Sequence, residues 1–263
     1  MKNSIPIIFL ALLLVCGCTS TEQLSYLNNL PETTEPQYFP YDMPDYKVQY
    51  RDILYIDIKI LNSEGRIENT LQGNNSWNQS YSQTESSQYL IGYNIDKEGN
   101  ILLPVVGTLA VSDNTVTQIR ELIQQKIDSI YNHAFVDVKL LSFKYTVLGE
   151  ARIPGTYINY NNYLTILEAI GRAGGVGDYG RHDRVLVVRS TKEGTQTYLV
   201  NLQDKNLLSS NAYFLMPNDV VIIEPVKHKI FNMNLPTISF VISSVTGIIT
   251  TTLLLINYFG TNK

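Results

Sequence analysis

The sequence predicts an α+β protein: two small mixed-sheet domains followed by a C-terminal transmembrane amphipathic helix. Three observations carry this. Between Tyr46 and Pro225, strand-like runs rich in β-branched and aromatic residues alternate with turns, and only two segments have helical spacing. Those two segments fall one to each half, so each half combines several strands with a single helix. Beyond Lys229 no charged residue occurs before Lys263, and residues 238–259 approach the roughly 20 residues that a spanning helix needs.

The chain of 263 residues opens with "MKNSIPIIFLALLLVCGCTS". Lys2 precedes an apolar run from Ile5 to Val15, too short to span a bilayer but suited to a signal peptide over residues 1–17. The run ends in Val15-Cys16-Gly17-Cys18, which resembles the bacterial lipobox, where small residues precede a cysteine that takes a diacylglycerol. Cys18 would be the lipidated residue, and Cys16 would leave with the signal. The alternative is an ordinary secretory signal with incidental cysteines. Residues 18–45 are polar and broken by prolines, a tether rather than a core.

The first domain is expected over residues 46–142. "YKVQYRDILYIDIKIL" alternates polar and apolar positions, with "QYRD" as an internal turn. Residues 62–88 turn polar and read as a long exposed loop. In "YLIGYNIDKEGNILLPVVGTLAV", Asp96 to Asn100 is expected to form a hairpin turn, and Pro104 marks a strand edge or end. Thr115 is placed to cap a helix whose Val116, Ile119, Ile123, Ile127 and Ile130 recur at helical spacing. "AFVDVKLL" is a further strand.

The second domain is expected over residues 143–226. "FKYTVLGEARIPGTYIN" reads as a hairpin turning at Ala151 to Gly155. "LTILEAIGRAGG" is a short helix capped by Thr165 or a neighbour, and "RVLVVRS" and "TYLVNL" are strands. The closing "NDVVIIE" echoes "RDILYID" of the first domain: Asp219-Val220-Val221 against Asp52-Ile53-Leu54, each a turn aspartate before a buried strand.

The terminal helix is expected over residues 236–259, entered at Pro236, with Tyr258 and Phe259 at the far interface. At 100° per residue, Ser239, Ser243, Thr246, Thr250 and Asn257 fall in a narrow arc with Gly247 beside it. Val241, Ile242, Val245, Ile248, Ile249, Ile256 and Phe259 lie opposite. Leu254 interrupts the polar arc, and Ser244, Thr251 and Thr252 lie off it. A polar stripe in lipid faces other helices or water, so a ring of copies would place it inside. The competing reading is a single anchor whose Ser and Thr bond back to their own backbone.

Several functions are disfavoured. The net charge of -4 leaves no basic footprint for nucleic acid. The two cysteines, Cys16 and Cys18, both lie at the N-terminus, so the rest of the chain has no disulfide and no thiolate metal site. His133 at a helix-to-strand junction, His182 in a loop and His228 before the terminal segment read as surface histidines without special role. Asp96, Glu98, Glu150 and Asp178 are explained by turn chemistry. Gly175, Gly177 and Gly180 in "GGVGDYG" spell G-x-G-x-x-G. A dinucleotide fingerprint, however, leaves a strand and opens a helix, whereas these glycines follow a helix. Gly174 and Gly175 suit its left-handed C-cap. No metal, cofactor or catalytic constellation is expected.

The succession of motifs resembles the outer-membrane polysaccharide export family of the Wza type. "YKVQYRDILYIDI", "GYNIDKEGNILLPVVG" and "AFVDVKLL" look like its polysaccharide export domain. "YTVLGEARIPGTY", "LTILEAIGRAGGV", "VLVVR" and "YFLMPNDVVIIEP" look like its SLBB domain, a β-grasp module. The resemblance implies a homo-oligomeric ring, commonly an octamer, lipid-anchored in the bacterial outer membrane with its body in the periplasm. It implies a terminal helical barrel, an inner-membrane polysaccharide copolymerase as partner, and capsular or extracellular polysaccharide as the transported polymer. Ser239, Ser243, Thr246, Thr250 and Asn257 would then face the lumen. The alternative is a membrane-tethered periplasmic lipoprotein that binds glycan or a partner and forms no pore. One SLBB domain, where larger members have two, and the polar loop 62–88 depart from the pattern.

Overall fold

A computed structural model describes residues 25–31, 33–41, 43–61, 67–69 and 91–260, except the side chains of 67–69, 228, 230–238 and 257–260. The expected signal sequence, Cys18 and most of the expected polar loop 62–88 therefore lie outside the described residues. The architecture is α+β, with two sheet-and-helix domains and a long C-terminal helix.

The first domain is organised on β1 (Ile53–Leu61). Along one side β1 pairs antiparallel with β6 (Ala134–Leu140), from Leu54 opposite Leu140 to Ile60 opposite Ala134. Along the other it meets β2 (Ile67–Asn69) and β3 (Tyr93–Asn94). The helix α1 (Val116–Asp128) lies on this sheet. Its Ile119, Ile123 and Ile127, all fully buried, join Leu54, Ile56, Ile58, Val136 and Val138 in one core. Thr115 caps α1 in a reciprocal capping box with Gln118, which satisfies amide groups the first turn would otherwise orphan. Gln124 fastens α1 to β6. Its Nε2 donates to the carbonyl of Ala134 at 2.9 Å, and its Oε1 accepts from the amide of Val136 at 3.0 Å.

Two expectations change here. The turn at Asp96 to Gly99 is present, with Asn100 N donating to Asp96 Oδ1 at 2.7 Å. It links β3 to β4 (Asn100–Leu103) instead of closing a hairpin of its own. The hairpin pairs β4 with β5 (Gly107–Ala110) across Pro104 to Val106. Proline ends β4 because it offers no ladder donor. Likewise the residues before "QYRD" do not fold back on β1. Lys47 bridges Thr115, and Val48 exchanges hydrogen bonds with Asp113 and Asn114 at 3.0 Å each.

The second domain is a five-stranded mixed sheet. Its strands are β7 (Lys144–Gly149), β8 (Gly155–Ile158), β9 (Gly180–Thr191), β10 (Gly194–Val200) and β11 (Val220–Pro225), in the order β10-β9-β11-β7-β8. β11 runs parallel to β7 and antiparallel to β9. The short helix α2 (Ile166–Arg172) carries a capping box of Thr165 and Glu168. Ile166, Ala169 and Ile170 of α2 pack with Tyr145, Val147, Val185, Val187, Val221 and Ile223 in a second core. Gly174 and Gly175 follow α2 with φ of 78° and 88°, the left-handed C-terminal stop expected of them.

The two domains meet at Leu140, which packs against both cores, and Ser142 ties the end of the first domain back to the start of β1. The hydroxyl of Ser142 accepts from the amide of Ile53 at 3.2 Å and donates to Asp52 at 2.9 Å. Lys192 on the β9–β10 turn also pairs with Asp113 of the first domain.

His182 is not a surface loop residue. It lies within β9 and is 6% exposed, because strand alternation turns it inward beneath Tyr26, whose ring meets it edge-on at 5.1 Å. Tyr26 belongs to the stretch read as a free tether. Described residues of that stretch instead contact the second domain. Leu27 N donates to the carbonyl of Leu202 at 2.9 Å, Asn29 bonds Asp204 and Lys205 at 3.0 and 2.7 Å, and Tyr41 packs on Phe214 at 5.3 Å. Polar composition concealed a few apolar anchors, and a few suffice to dock a segment on a formed core.

Candidate functional site: the terminal helix and its base

The helix α3 runs from His228 to Gly260. It begins well before Pro236, where its entry was expected. Proline inside a helix removes one backbone donor, and the chain continues through it here. The stretch Ser239–Ile256 has a mean hydropathy of 1.9, and none of it is buried within the chain.

Ser239, Ser243, Thr246 and Thr250 are all exposed on α3; the side chain of Asn257 and all of Cys18 lie outside the described residues. Val241, Ile242, Val245, Ile248 and Ile249 are exposed as well. Among the described residues, neither face of the stretch Ser239–Ile256 is covered. An apolar surface this long is covered by lipid or by other protein.

The hydroxyl geometry limits what the polar stripe can offer. Thr246 Oγ1 donates to the carbonyl of Ile242 and Thr250 Oγ1 to that of Thr246, each at 2.8 Å. Off the stripe, Ser244, Thr251 and Thr252 make the same bond four residues back. With the proton given to the backbone, each such oxygen faces outward as an acceptor only. Such a surface can receive hydrogen bonds from water or from the hydroxyls of a sugar chain.

The base of α3 is held by the second domain. Val226 N donates to the carbonyl of Tyr179 at 2.7 Å. Lys229, in the first turn, pairs with Glu150, whose side chain is only 17% exposed. Glu150 is therefore more than a turn residue. Its own carbonyl accepts from Gly177 N at 2.6 Å, which locks the 150–154 turn to the glycine loop after α2. Gly180 has to be glycine for this approach, since a Cβ there would fall 2.4 Å from Val176 Cγ1 and 2.9 Å from the Glu150 carbonyl oxygen. Nothing in the sequence pairs Glu150 with Lys229 across such a separation.

The buried polar groups serve structure. Asp52 accepts from Tyr46 Oη at 2.7 Å, from Gln49 N at 2.9 Å and from Ser142. Burial raises its pKa, and these hydrogen bonds pull it back only in part. Asp219 is likewise raised by burial, against the lowering effect of Arg189, whose guanidinium binds it at 2.8 to 3.2 Å. Burial lowers the pKa of His182. Among the described residues, no group of three His, Cys, Asp or Glu is placed to hold a metal ion.

Comparison with known proteins decides what this architecture belongs to. Residues 40–141 match the family described as polysaccharide biosynthesis/export protein, and residues 143–223 match the SLBB domain. The first domain is thus of the polysaccharide export family, and an SLBB domain follows it. The chain is similar to the EPS I polysaccharide export outer membrane protein EpsA of Ralstonia solanacearum, 26% identical over 138 residues, covering 51% of this chain and 36% of that protein. It is also similar to the protein of the same name from Ralstonia nicotianae, 29% identical over 108 residues, covering 40% of this chain and 28% of the relative. The match thus spans about a third of the length of these curated relatives.

Proposed function

We propose that the chain is a subunit of an outer-membrane channel that passes capsular or extracellular polysaccharide from the periplasm to the cell exterior. It acts as a conduit rather than as an enzyme. Cys18 carries the acyl anchor, and the domains at 46–142 and 143–226 form the periplasmic body. Several copies assemble as a ring, in which the α3 helices make a barrel with lipid outside and water inside. An inner-membrane polysaccharide copolymerase is the partner that delivers the polymer. The relatives' description as outer membrane export proteins supports this setting.

The observation that carries the reading is the wholly unburied span Ser239–Ile256 with its two unlike faces. Lipid can cover the face of Val241, Val245 and Ile248. Neighbouring copies or water suit the face of Ser239, Ser243, Thr246, Thr250 and Asn257, whose oxygens can still accept hydrogen bonds. A ring of helices encloses a polar path while every backbone group stays bonded within its own helix.

The backbone-directed hydroxyls of Thr246 and Thr250 favour a second reading, a tethered glycan- or partner-binding lipoprotein with a single anchor. Native mass spectrometry of the full chain in mild detergent separates the two, because a monomer sinks the channel. Cysteine substitutions along α3, probed in cells with a water-soluble thiol reagent, then test the lumen. Labelling is expected at Ser243 and Thr246; labelling at Val241 or Val245 instead would show the assignment to be wrong.

A further inference from the structure

The N-terminal segment and the C-terminal helix, which lie at opposite ends of the chain, are fixed to one loop of the second domain. This is the glycine loop of residues 174–180. From one side Tyr26 reaches it, its hydroxyl accepting from Val176 N at 3.4 Å and lying against Gly175. From the other side the base of α3 reaches it, through Val226 N on the Tyr179 carbonyl and through Lys229 on Glu150. The loop is tied in turn to the 150–154 turn. Ala151 bridges Val176, Arg152 N donates to Gly175 O at 3.2 Å, Ile153 N donates to Ala173 O at 2.9 Å, and Arg152 pairs with Asp178 at 3.7 Å.

At this end Ile153 is 61% exposed and Tyr179 is 40% exposed. Lys227 and Arg152 are exposed around them, Arg152 in an ion pair with the exposed Asp178 of the glycine loop. An aliphatic tip, a tyrosine and flanking cations are the residue types that stabilise contact with a bilayer interface: the ring and the aliphatic chain enter the headgroup layer while the cations meet phosphate.

We propose that the end of the second domain formed by the 150–154 turn and the 174–180 loop is a lipid-contact surface, seated on the phospholipid headgroups of the membrane that α3 enters. The proposal rests on the reading of α3 as a spanning helix and of Cys18 as acylated. Tyr26 is eight positions beyond Cys18, a reach of at most about 28 Å at full extension. The acyl chain therefore enters the bilayer within that reach of Tyr26, and the two attachments hold one surface toward the membrane. In a ring, every subunit is then seated at the same height and tilt.

The test uses the full acylated chain in phospholipid vesicles. Single cysteines replace Ile153, Tyr179, Phe135 and Ile248 in turn and carry an environment-sensitive fluorophore; Cys16 has left with the signal and Cys18 is blocked by its acyl group. Phe135, on β6 of the first domain, is the body control, and Ile248 is the membrane control. With nitroxide on the lipid headgroups, labels at 153 and 179 are expected to be quenched several-fold more than at 135. With nitroxide deep in the acyl chains, the label at 248 is quenched. If 248 is quenched but 153 and 179 respond no more than 135, the lipid-contact surface is wrong and the spanning helix stands. A label at 153 that is shielded from water yet insensitive to lipid nitroxide assigns this surface to a second copy of the chain and also overturns the proposal. If 248 is not quenched, both readings fall.

Discussion

Asp52 and Asp219 close the same turn, one in each domain. The amide of each donates to the carbonyl three residues earlier, Gln49 at 3.0 Å and Met216 at 3.1 Å. A carboxylate oxygen of each accepts from the amide of that same residue, at 2.9 and 2.8 Å. The residue before each aspartate, Arg51 or Asn218, is left-handed, with φ of 77° and 67°. Each turn then launches the central buried strand of its sheet. The faint echo between "RDILYID" and "NDVVIIE" is thus a repeated device for starting a strand from a buried carboxylate.

The two aspartates differ in what else they hold, and this sets different costs of removal. Asp219 neutralises Arg189, whose side chain is 11% exposed. Asp219→Ala leaves that cation buried and unpaired and is expected to destabilise the second domain by about 3–5 kcal/mol. Asp52 faces no cation but joins Tyr46 and Ser142, so Asp52→Ala is expected to cost about 1–3 kcal/mol for its stranded donors. Urea unfolding of each variant gives the order, and equal losses would show that the Arg189 pairing adds nothing.

His182 makes stability depend on pH. Burial lowers its folded-state pKa, and the charge of nearby Asp183 opposes this more weakly. In the unfolded chain an ordinary histidine titrates near 6.5. Between the lowered value and about 6.5 the unfolded state binds more protons than the folded one, so stability rises with pH and falls on acidification. The thermal midpoint of the full chain should drop between pH 7 and pH 5. His182→Phe, which keeps a ring against Tyr26, should reduce that drop. Circular dichroism melts of both proteins at the two pH values check this, and parallel drops would remove His182 as a contributor.

The parts legible in the sequence were those set by local rules. Thr115 and Thr165 cap their helices because a hydroxyl three residues before a Gln or Glu satisfies exposed amides, and that spacing is visible in the text. Ile119, Ile123 and Ile127 showed the face of α1 by period alone. What escaped depends on contacts between distant residues. Glu150 looked like any turn carboxylate until Lys229 arrived from the base of α3. His182 looked like a loop residue because "GRHDR" is polar, while the strand it opens is covered by Tyr26 from the far N-terminus. The stretch around Tyr26, Leu27 and Tyr41 looked solvated because average composition hides single anchors.

The wheel assignment of α3 can be tested by comparing two lysines at nearly equal depth. Thr246 and Ile248 are two residues apart, about 3 Å along the axis, yet they lie on opposite faces. A lysine in the middle of a lipid-facing helix costs about 2.5–3.5 kcal/mol on insertion scales, whereas one facing a wet lumen keeps its hydration. Ile248→Lys is therefore expected to cut the amount of membrane-inserted oligomer strongly, and Thr246→Lys to leave it near the parent level. Carbonate extraction and native gels of the same membranes read both quantities. Equal loss in the two variants would mean that both faces meet lipid, as in a lone anchor whose threonines are satisfied by their own backbone. A loss confined to Ile248→Lys cannot come from depth or from helix propensity, which the two sites share. It requires that the helix keep one face away from lipid, and none of the described residues covers that face.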